Sequence, residues 1–301
     1  MLKSHEKVIT SRPSSFTELW LAHAYIPAGI PIVGMRRAIM RPHELSCGII
    51  APNRRLAQFC FTLKNVPGAL AKVADKMAKH GINILSGHTT ALPGEELGYV
   101  TFFADLTGLD IDMSAFLEQL RSMDVVENVV MLEPEIPGLI VDVAHFPLRF
   151  LGQDVVIIDL VMVGSMFSRL YEVFETGASV ILYEMGYRAG RTTAEEIMRY
   201  GLRGLEALRA IMAFGIARGW CVPELVEWDE EAPRLVMRLW DNFECKPVAG
   251  KKDRPNSHLM RGIIAGLLEV LTGKKVKVKE VKCVAKGDEY CEFVAERYEA
   301  V

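Results

Sequence analysis

The segment that restricts the fold most lies near the end of the chain. Residues 280–293 read as a strand, a tight polar turn and a second strand, which brings Glu280, Cys283 and Cys291 close together. Two thiolates and a carboxylate at spacings of +3 and +8 across a turn suit zinc, which accepts sulfur and oxygen ligands tetrahedrally. The alternative is two buried free cysteines beside a hairpin turn, because cysteine is often buried as a small hydrophobic residue.

The spacing of the first two of these residues sets a geometric condition. Strict alternation along a strand would place Glu280 and Cys283 on opposite faces of the sheet. A metal site therefore requires a bulge or a strand end between them.

The residues around this hairpin resemble the 4-vinyl-reductase (hydrocarbon-binding) domain. That family is similar to the ligand-sensing domain of phenol-responsive bacterial activators and shares the fold of TRAPP-complex subunits. The resemblance implies a mixed α/β domain of the TRAPP-subunit-like (NO-signalling/Golgi-transport ligand-binding) fold. It rests on Ser257 to Gly262, an apolar helix that runs to Gly273, Glu280, Cys283, Gly287-Asp288 and Cys291-Glu292-Phe293.

The same resemblance implies a four-ligand zinc site. The family places one cysteine just before the helix and then Glu, Cys and Cys in the hairpin. The last three match Glu280, Cys283 and Cys291, but the first falls on Ser257, which is a poor zinc ligand. Cys245 and His258 are the two candidates for the fourth ligand.

Composition and charge exclude several classes of protein. A chain of 301 residues, 50% hydrophobic and 24% charged, is long enough for two globular domains. The net charge of −3 gives no general attraction for nucleic acid or anionic lipid. Charged residues break the apolar runs well short of the ~20 residues that span a bilayer. Six thinly spread cysteines do not form a secreted disulfide scaffold, so we expect a cytoplasmic protein.

Residues 1–54 are predicted to be a poorly ordered N-terminal extension. Prolines recur in it, and it has no sustained period of 3.6 or 2 residues. Its apolar stretch is interrupted by Pro27 and Pro31, which argues against a secretory signal. Met35 and Met40 offer alternative start codons, which would make the segment an artefact of gene prediction.

Residues 55–135 show the order βαββαβ. Alternation from Leu56 predicts a strand, and an amphipathic helix follows Asn65, which can cap it. This region resembles an ACT domain, the small amino-acid-binding regulatory module, which implies a ferredoxin-like α+β fold. The turn that carries the resemblance consists of Asn65, Val66, Pro67, Gly68, Ala69 and Leu70.

The ACT resemblance implies that backbone N–H groups at this turn meet the carboxylate of an amino acid. Asn65 stands where the family usually has Asp, so the turn is less suited to binding an amino group. The alternative is an ACT fold used only as a dimerisation surface, and the segment predicts a homodimer or larger homo-oligomer. His88 either lines the ligand site or is structural.

Residues 136–301 are predicted to form the second domain, with helices over 161–174, 178–191 and 193–218 and hairpin strands over 222–228 and 234–243. Gly186 and Gly190 would allow two helices to approach closely. We expect an apolar cavity between the first two helices and the hairpin, with Met162, Met166, Tyr171, Tyr187 and Trp240 as its principal residues. The wider inventory adds Phe167, Met185, Met212 and Phe214.

These features favour a cytoplasmic sensor or regulatory protein. Its ACT domain would bind an amino acid or dimerise, and its zinc-containing C-terminal domain would bind a small hydrophobic or aromatic ligand. One alternative is an enzyme or enzyme accessory that acts on a vinyl-bearing tetrapyrrole-like compound, although the sequence offers no convincing acid, base or nucleophile constellation. An assembly scaffold is a second alternative.

Overall fold

The computed structural model describes residues 42–298. They divide into two compact α+β units, one ending at Val155 and the other beginning at Val156. The candidate start codons Met35 and Met40, and the predicted extension up to residue 41, lie outside the described residues.

The first unit contains the βαββαβ order that the sequence predicts. After β1 (Gly48–Ile50) come β2 (Leu56–Lys64), α1 (Ala69–Lys79), β3 (Asn83–Thr90), β4 (Leu97–Asp105), α2 (Met113–Arg121) and β5 (Val126–Leu132). The strands form an antiparallel sheet in the order β3-β4-β2-β5. Phe59 and Phe61 on β2 pack with Val73, Met77 and Phe116 from the two helices, and this packing forms the core on one face.

The other face of this sheet is partly covered by a short strand pair. β1 pairs antiparallel with β6 (Leu139–Val141), and Ile140 packs on Leu56 and Phe103. The strands β7 (Leu148–Phe150) and β8 (Gln153–Val155) then form a small hairpin. Residues 48–54 were expected in the poorly ordered extension and 139–141 in the second domain, but both segments belong to this unit. Three-residue strands show no periodicity, so only their pairing reveals them.

The second unit places four helices with an antiparallel sheet. The helices are α3 (Leu160–Phe174), α4 (Gly177–Arg199), α5 (Gly204–Ala217) and α6 (His258–Thr272). The strands are β9 (Val222–Asp229), β10 (Arg234–Trp240), β11 (Val276–Lys282) and β12 (Cys291–Arg297), in the order β11-β12-β10-β9. No helix in the part of the chain that the structure describes has the length and apolar character needed to cross a bilayer.

The break between α4 and α5 lies later than the sequence predicts. We expected one helix to end at Arg191 and the next to begin at Thr193, but α4 continues to Arg199. Nothing at 191–193 removes a backbone donor or forces a positive φ, so the helix continues. It ends before Gly201, whose φ of 85° is left-handed.

Helices α4 and α6 pack backbone against backbone. A Cβ added at Gly190 would lie 2.1 Å from the carbonyl oxygen of Ile263, and one at Gly266 would lie 2.1 Å from that of Tyr187. The structure confirms that Gly186 and Gly190 serve close packing, and Gly262 and Gly266 provide the matching pair on α6.

Candidate metal centre

A bulge in β11 brings Glu280 to the same side as the cysteines. Glu280 pairs with Phe293 and Lys282 with Glu292, so Val281 is an extra residue opposite the β12 ladder. Phe293 and Cys291 both face the interior of the unit, because they lie two residues apart on β12. The bulge that the sequence required between Glu280 and Cys283 is confirmed.

A polar turn fixes the distance between Cys283 and Cys291. The Cys283 N–H donates to the Asp288 carboxylate at 2.8 Å, and the Asp288 N–H returns a bond to the Cys283 carbonyl at 3.2 Å. Gly287 takes a φ of 101°, which a residue with a Cβ rarely adopts. The Gly287-Asp288 pair therefore builds the turn and does not itself provide a ligand.

Cys245 completes a group of four ligands. It follows β10 by way of Asp241, which has a φ of 52°, and its Sγ lies 3.5 Å from the Sγ of Cys283. One ligand atom from each of Cys245, Glu280, Cys283 and Cys291 lies within 4.8 Å of the others. Thiolates on a tetrahedral zinc ion, with Zn–S bonds of about 2.3 Å, would lie about 3.8 Å apart. The donor set and its dimensions therefore fit zinc.

His258, the other candidate for the fourth position, is not part of this group. Burial, followed by Arg261 and Arg254, lowers the pKa of His258 to about 4. Of the two candidates, the geometry favours Cys245.

Ser257 is the polar hub of the cluster and is fully buried. Its hydroxyl donates to the Glu280 carboxylate at 2.6 Å and lies 2.9 Å from the Sγ of Cys245. The Ser257 N–H donates to the second oxygen of Glu280 at 2.9 Å. Ser257 thus orients a ligand from the position where the resembling family has a cysteine, and Cys245 occupies the space beside it.

Amide groups point at the sulfur atoms. The Asn256 N–H donates to Cys283 Sγ at 3.4 Å, and the Val284 N–H and the Asn242 side chain each donate to Cys291 Sγ at 3.4 Å. A neutral thiol is a weak acceptor, so donors in this arrangement favour thiolates. Thiolate is the form in which cysteine binds metals.

Four acidic groups in one buried space perturb each other. Hydrogen bonds from Cys245 and Cys291 hold the pKa of Cys283 well below its usual range. Burial raises the pKa of Glu280 to about 7, despite its bonds from Ser257. Such a cluster lacks a compensating positive charge, which a bound cation would provide.

Two residues that the sequence interpretation missed support the centre. Glu244 is buried and accepts the backbone N–H groups of Leu259 and Met260 at 2.8 Å each, which caps the first turn of α6. Asn242 bonds Ser257 and Cys291. Both lie in the five-residue segment that leads to Cys245, and two polar residues directly after an apolar strand were the available signal.

The second unit also contains an apolar cavity of about 60 Å³. It lies among α5, β10 and α6, and Met212, Met237 and Met260 line it, one from each element. Cys221 also lines it, and burial raises the pKa of this thiol to about 12.

The residues predicted to line the ligand cavity are not brought together around it. Met162 and Met166 lie on α3 with 52% and 55% of their surface exposed. Tyr187 donates to Glu269 at 2.5 Å, Trp240 packs on Tyr290, and Tyr171 lies beneath Lys252. Of the wider inventory, only Met212 and Phe214 line the cavity. The methionine stripe on α3 suggested a lining, but α3 has no buried residue.

The turn predicted to bind an amino acid is exposed, apart from Ala69. Asn65 does not cap α1, because its side chain donates to the carbonyls of Leu92 and Glu95 and ties this turn to the β3–β4 loop. The residue before the helix is Gly68, with a φ of 87°. His88 lies opposite Thr101, on the sheet face away from the helices. Amino-acid binding and the ACT assignment stay predictions.

Comparison with known proteins gives one family match. Residues 235–297 match the model of the 4-vinyl-reductase domain. This range contains Cys245, Ser257, the metal hairpin and all of α6, so the resemblance to this domain is confirmed for this part of the chain.

Two relatives are uncharacterized proteins of Methanocaldococcus jannaschii. One is 44% identical over 70 residues, which is 23% of this chain and 30% of the relative. The other is 35% identical over 125 residues, or 39% of this chain and 64% of the relative. The chain thus covers less than two thirds of either. Among solved structures, the phenol-responsive sensory domain of the transcription activator PoxR with phenol is 20% identical, with a TM-score of 0.45 over 49% of this chain and 79% of that one.

Proposed function

We propose that the second unit is a sensor for a small hydrophobic or aromatic ligand, with a structural zinc ion that holds the ligand-binding elements in place. The observation that carries the proposal is the apolar cavity inside the region that matches the 4-vinyl-reductase domain. Its walls are made almost entirely of hydrophobic side chains, which is typical of sites for apolar ligands.

The metal centre and the cavity share their supporting elements. Helix α6 begins in the polar cluster, and Met260, Ile263 and Ile264 on the same helix line the cavity. On β10, Leu239 lines the cavity and pairs with Cys291. Zinc bound at the cluster would therefore fix the start of α6 and the end of β10, which are two walls of the binding site.

The cavity must enlarge to admit a ligand. At about 60 Å³ it is smaller than the cavity of about 150 Å³ that accepts benzene in an engineered protein. Three methionines provide the means, because unbranched thioether side chains adopt other rotamers at low cost. Displacement of these side chains on α5, β10 and α6 would convert ligand binding into movement of the surrounding elements.

Zinc in this centre would be structural. Three cysteines and Glu280 fill all four tetrahedral positions, whereas a catalytic zinc keeps one position open. This donor set favours the sensor over the enzyme that would act on a vinyl-bearing tetrapyrrole. The N-terminal unit would then serve as an ACT-like regulatory or dimerising module in a cytoplasmic homo-oligomer, where thiol ligands stay reduced.

Thermal shift with phenols, fused aromatics and fatty acids tests the sensor proposal. A ligand that binds only the folded state stabilises it by roughly 2.7 kcal/mol at a hundredfold excess over its dissociation constant. Met212→Trp, which fills the cavity, should abolish the shift, while Met166→Trp, on the exposed face of α3, should retain it. A shift of equal size in both variants would place the ligand elsewhere, and no shift with any compound class in the wild type would refute the proposal.

A further inference from the structure

A second cluster of metal-binding side chains lies in the first unit. One ligand atom from each of His88, Asp142 and His145 lies within 4.8 Å of the others. The cluster lies on the sheet face away from α1 and α2, beside the β1–β6 pair. None of its residues falls in the range that matches the 4-vinyl-reductase domain.

A bulge in β3 turns His88 toward this cluster. Ile84 pairs with Ala104 and Ser86 with Phe103, so Leu85 is an extra residue. Without it, His88 would lie opposite Val100 and face the helical core. With it, His88 lies opposite Thr101 on the other face. Bulges of this kind re-aim single side chains and are common beside functional sites.

The carboxylate is held by a buried amide. Gln58 on β2 has no exposed surface, and its Nε2 donates to Asp142 at 2.8 Å, while its Oε1 has no hydrogen-bond partner. Burying an amide with one unsatisfied atom is costly unless it serves another purpose. The Ala144 N–H donates to the same Asp142 oxygen at 3.0 Å, so the carboxylate is fixed from two sides.

The two imidazoles are arranged around that carboxylate. His145 Nδ1 lies 2.9 Å from each Asp142 oxygen, and its ring meets the ring of His88 edge-on, with centroids 5.5 Å apart. His145 Nε2 lies 3.4 Å from the hydroxyl of Thr101. Burial, followed by His145, lowers the pKa of His88, which keeps this imidazole neutral, as a metal ligand must be.

We propose that His88, Asp142 and His145 bind a first-row divalent transition-metal ion, with Gln58 as the residue that orients the carboxylate. Two imidazoles and one carboxylate suit such ions. The cation would take the place of the proton that now joins His145 to Asp142. Three protein ligands leave coordination positions open, so the ion should exchange more readily than zinc in the four-ligand cysteine centre.

Cobalt(II) titration of the zinc-loaded full chain tests this inference. We expect one additional equivalent of Co²⁺ to bind without a thiolate-to-cobalt charge-transfer band, because the site offers only nitrogen and oxygen. His88→Ala and His145→Ala should each weaken this equivalent by at least about 100-fold. Gln58→Leu should weaken it roughly 10- to 100-fold, as expected for a group that orients a ligand.

The control is His43→Ala, which removes an exposed histidine outside the cluster and should leave the additional equivalent unchanged. Circular dichroism of each variant checks that it is folded. The inference is refuted if wild type binds no additional Co²⁺, or if both histidine variants bind it with wild-type affinity. A charge-transfer band on the additional equivalent would also refute it, because that band reports sulfur ligation. Each outcome is independent of whether the cavity accepts a ligand.

Discussion

Replacing Gly190 by alanine tests the backbone contact between α4 and α6. The new Cβ would lie 2.1 Å from the Ile263 carbonyl oxygen, whereas about 3.3 Å is the shortest comfortable distance between a carbon and a carbonyl oxygen. The helices must therefore separate locally by about 1.2 Å. A gap of 0.5–1 Å already forfeits roughly a quarter to a half of the dispersion energy of the atoms that it separates.

The expected cost is the difference between two opposing effects. Overpacking of this kind costs about 1–3 kcal/mol and occasionally more, and the clash with rigid backbone atoms puts Gly190→Ala at or above the upper end. Alanine recovers about 1 kcal/mol of helix propensity over glycine. The net loss should be about 2 kcal/mol or more, which lowers the melting temperature by roughly 4–8 °C for a protein of this size.

Gly215→Ala is the matched control. Gly215 also lies inside a helix, α5, but a Cβ there would meet nothing closer than the Sγ of Cys221 at 3.8 Å. The same substitution should therefore stabilise the unit by up to about 1 kcal/mol.

Urea unfolding followed by tryptophan fluorescence provides the measurement, since Trp220, Trp228 and Trp240 all lie in the second unit. If Gly190→Ala and Gly215→Ala change stability equally, the close approach of α4 and α6 is wrong.

Two further predictions concern the cysteines. The Cys283→Ser, Cys291→Ser double variant should lose one zinc ion per chain by elemental analysis, and its second unit should melt roughly 10 °C lower or more, because structural zinc contributes several kcal/mol of folding free energy. Cys47→Ser with Cys60→Ser should keep the metal; zinc retained in the first variant would contradict the site. Separately, burial raises the pKa of the Cys221 thiol to about 12, so only about one molecule in 10⁴ carries the thiolate at pH 8. Alkylation followed by mass spectrometry should label Cys221 at least tenfold more slowly than the partly exposed Cys47 until the protein is unfolded, and equal rates would mean that the cavity wall is open.

The sequence predicted the elements with long, regular patterns. The nine-residue alternation of β2 and the helical spacing of α1 are strong local signals, so the βαββαβ order could be derived. The three residues of β1 carry no such signal, and their partner β6 lies far along the chain. The pairing arises from burial of Ile140 on Leu56 and Phe103, which no local pattern reports.

The metal centre was only partly predictable for a similar reason. Glu280, Cys283 and Cys291 share one hairpin, so their spacing and the required bulge followed from strand geometry. Cys245 reaches them through a turn with a left-handed residue at Asp241, which the sequence does not signal. The cavity was misplaced because methionine content was given more weight than the all-round apolar character of α5, which indicates burial.

The extra residue in β11 has a consequence for insertions and deletions. Deleting Val281 would shorten the strand by one residue and restore an unbroken ladder with β12, which is a gain for the sheet. Residues before the deletion would then rotate by half a turn of the pleat, and the Glu280 carboxylate would leave the cysteines for the opposite face. A single-codon deletion would thus yield a more regular hairpin that had lost one of its four ligands.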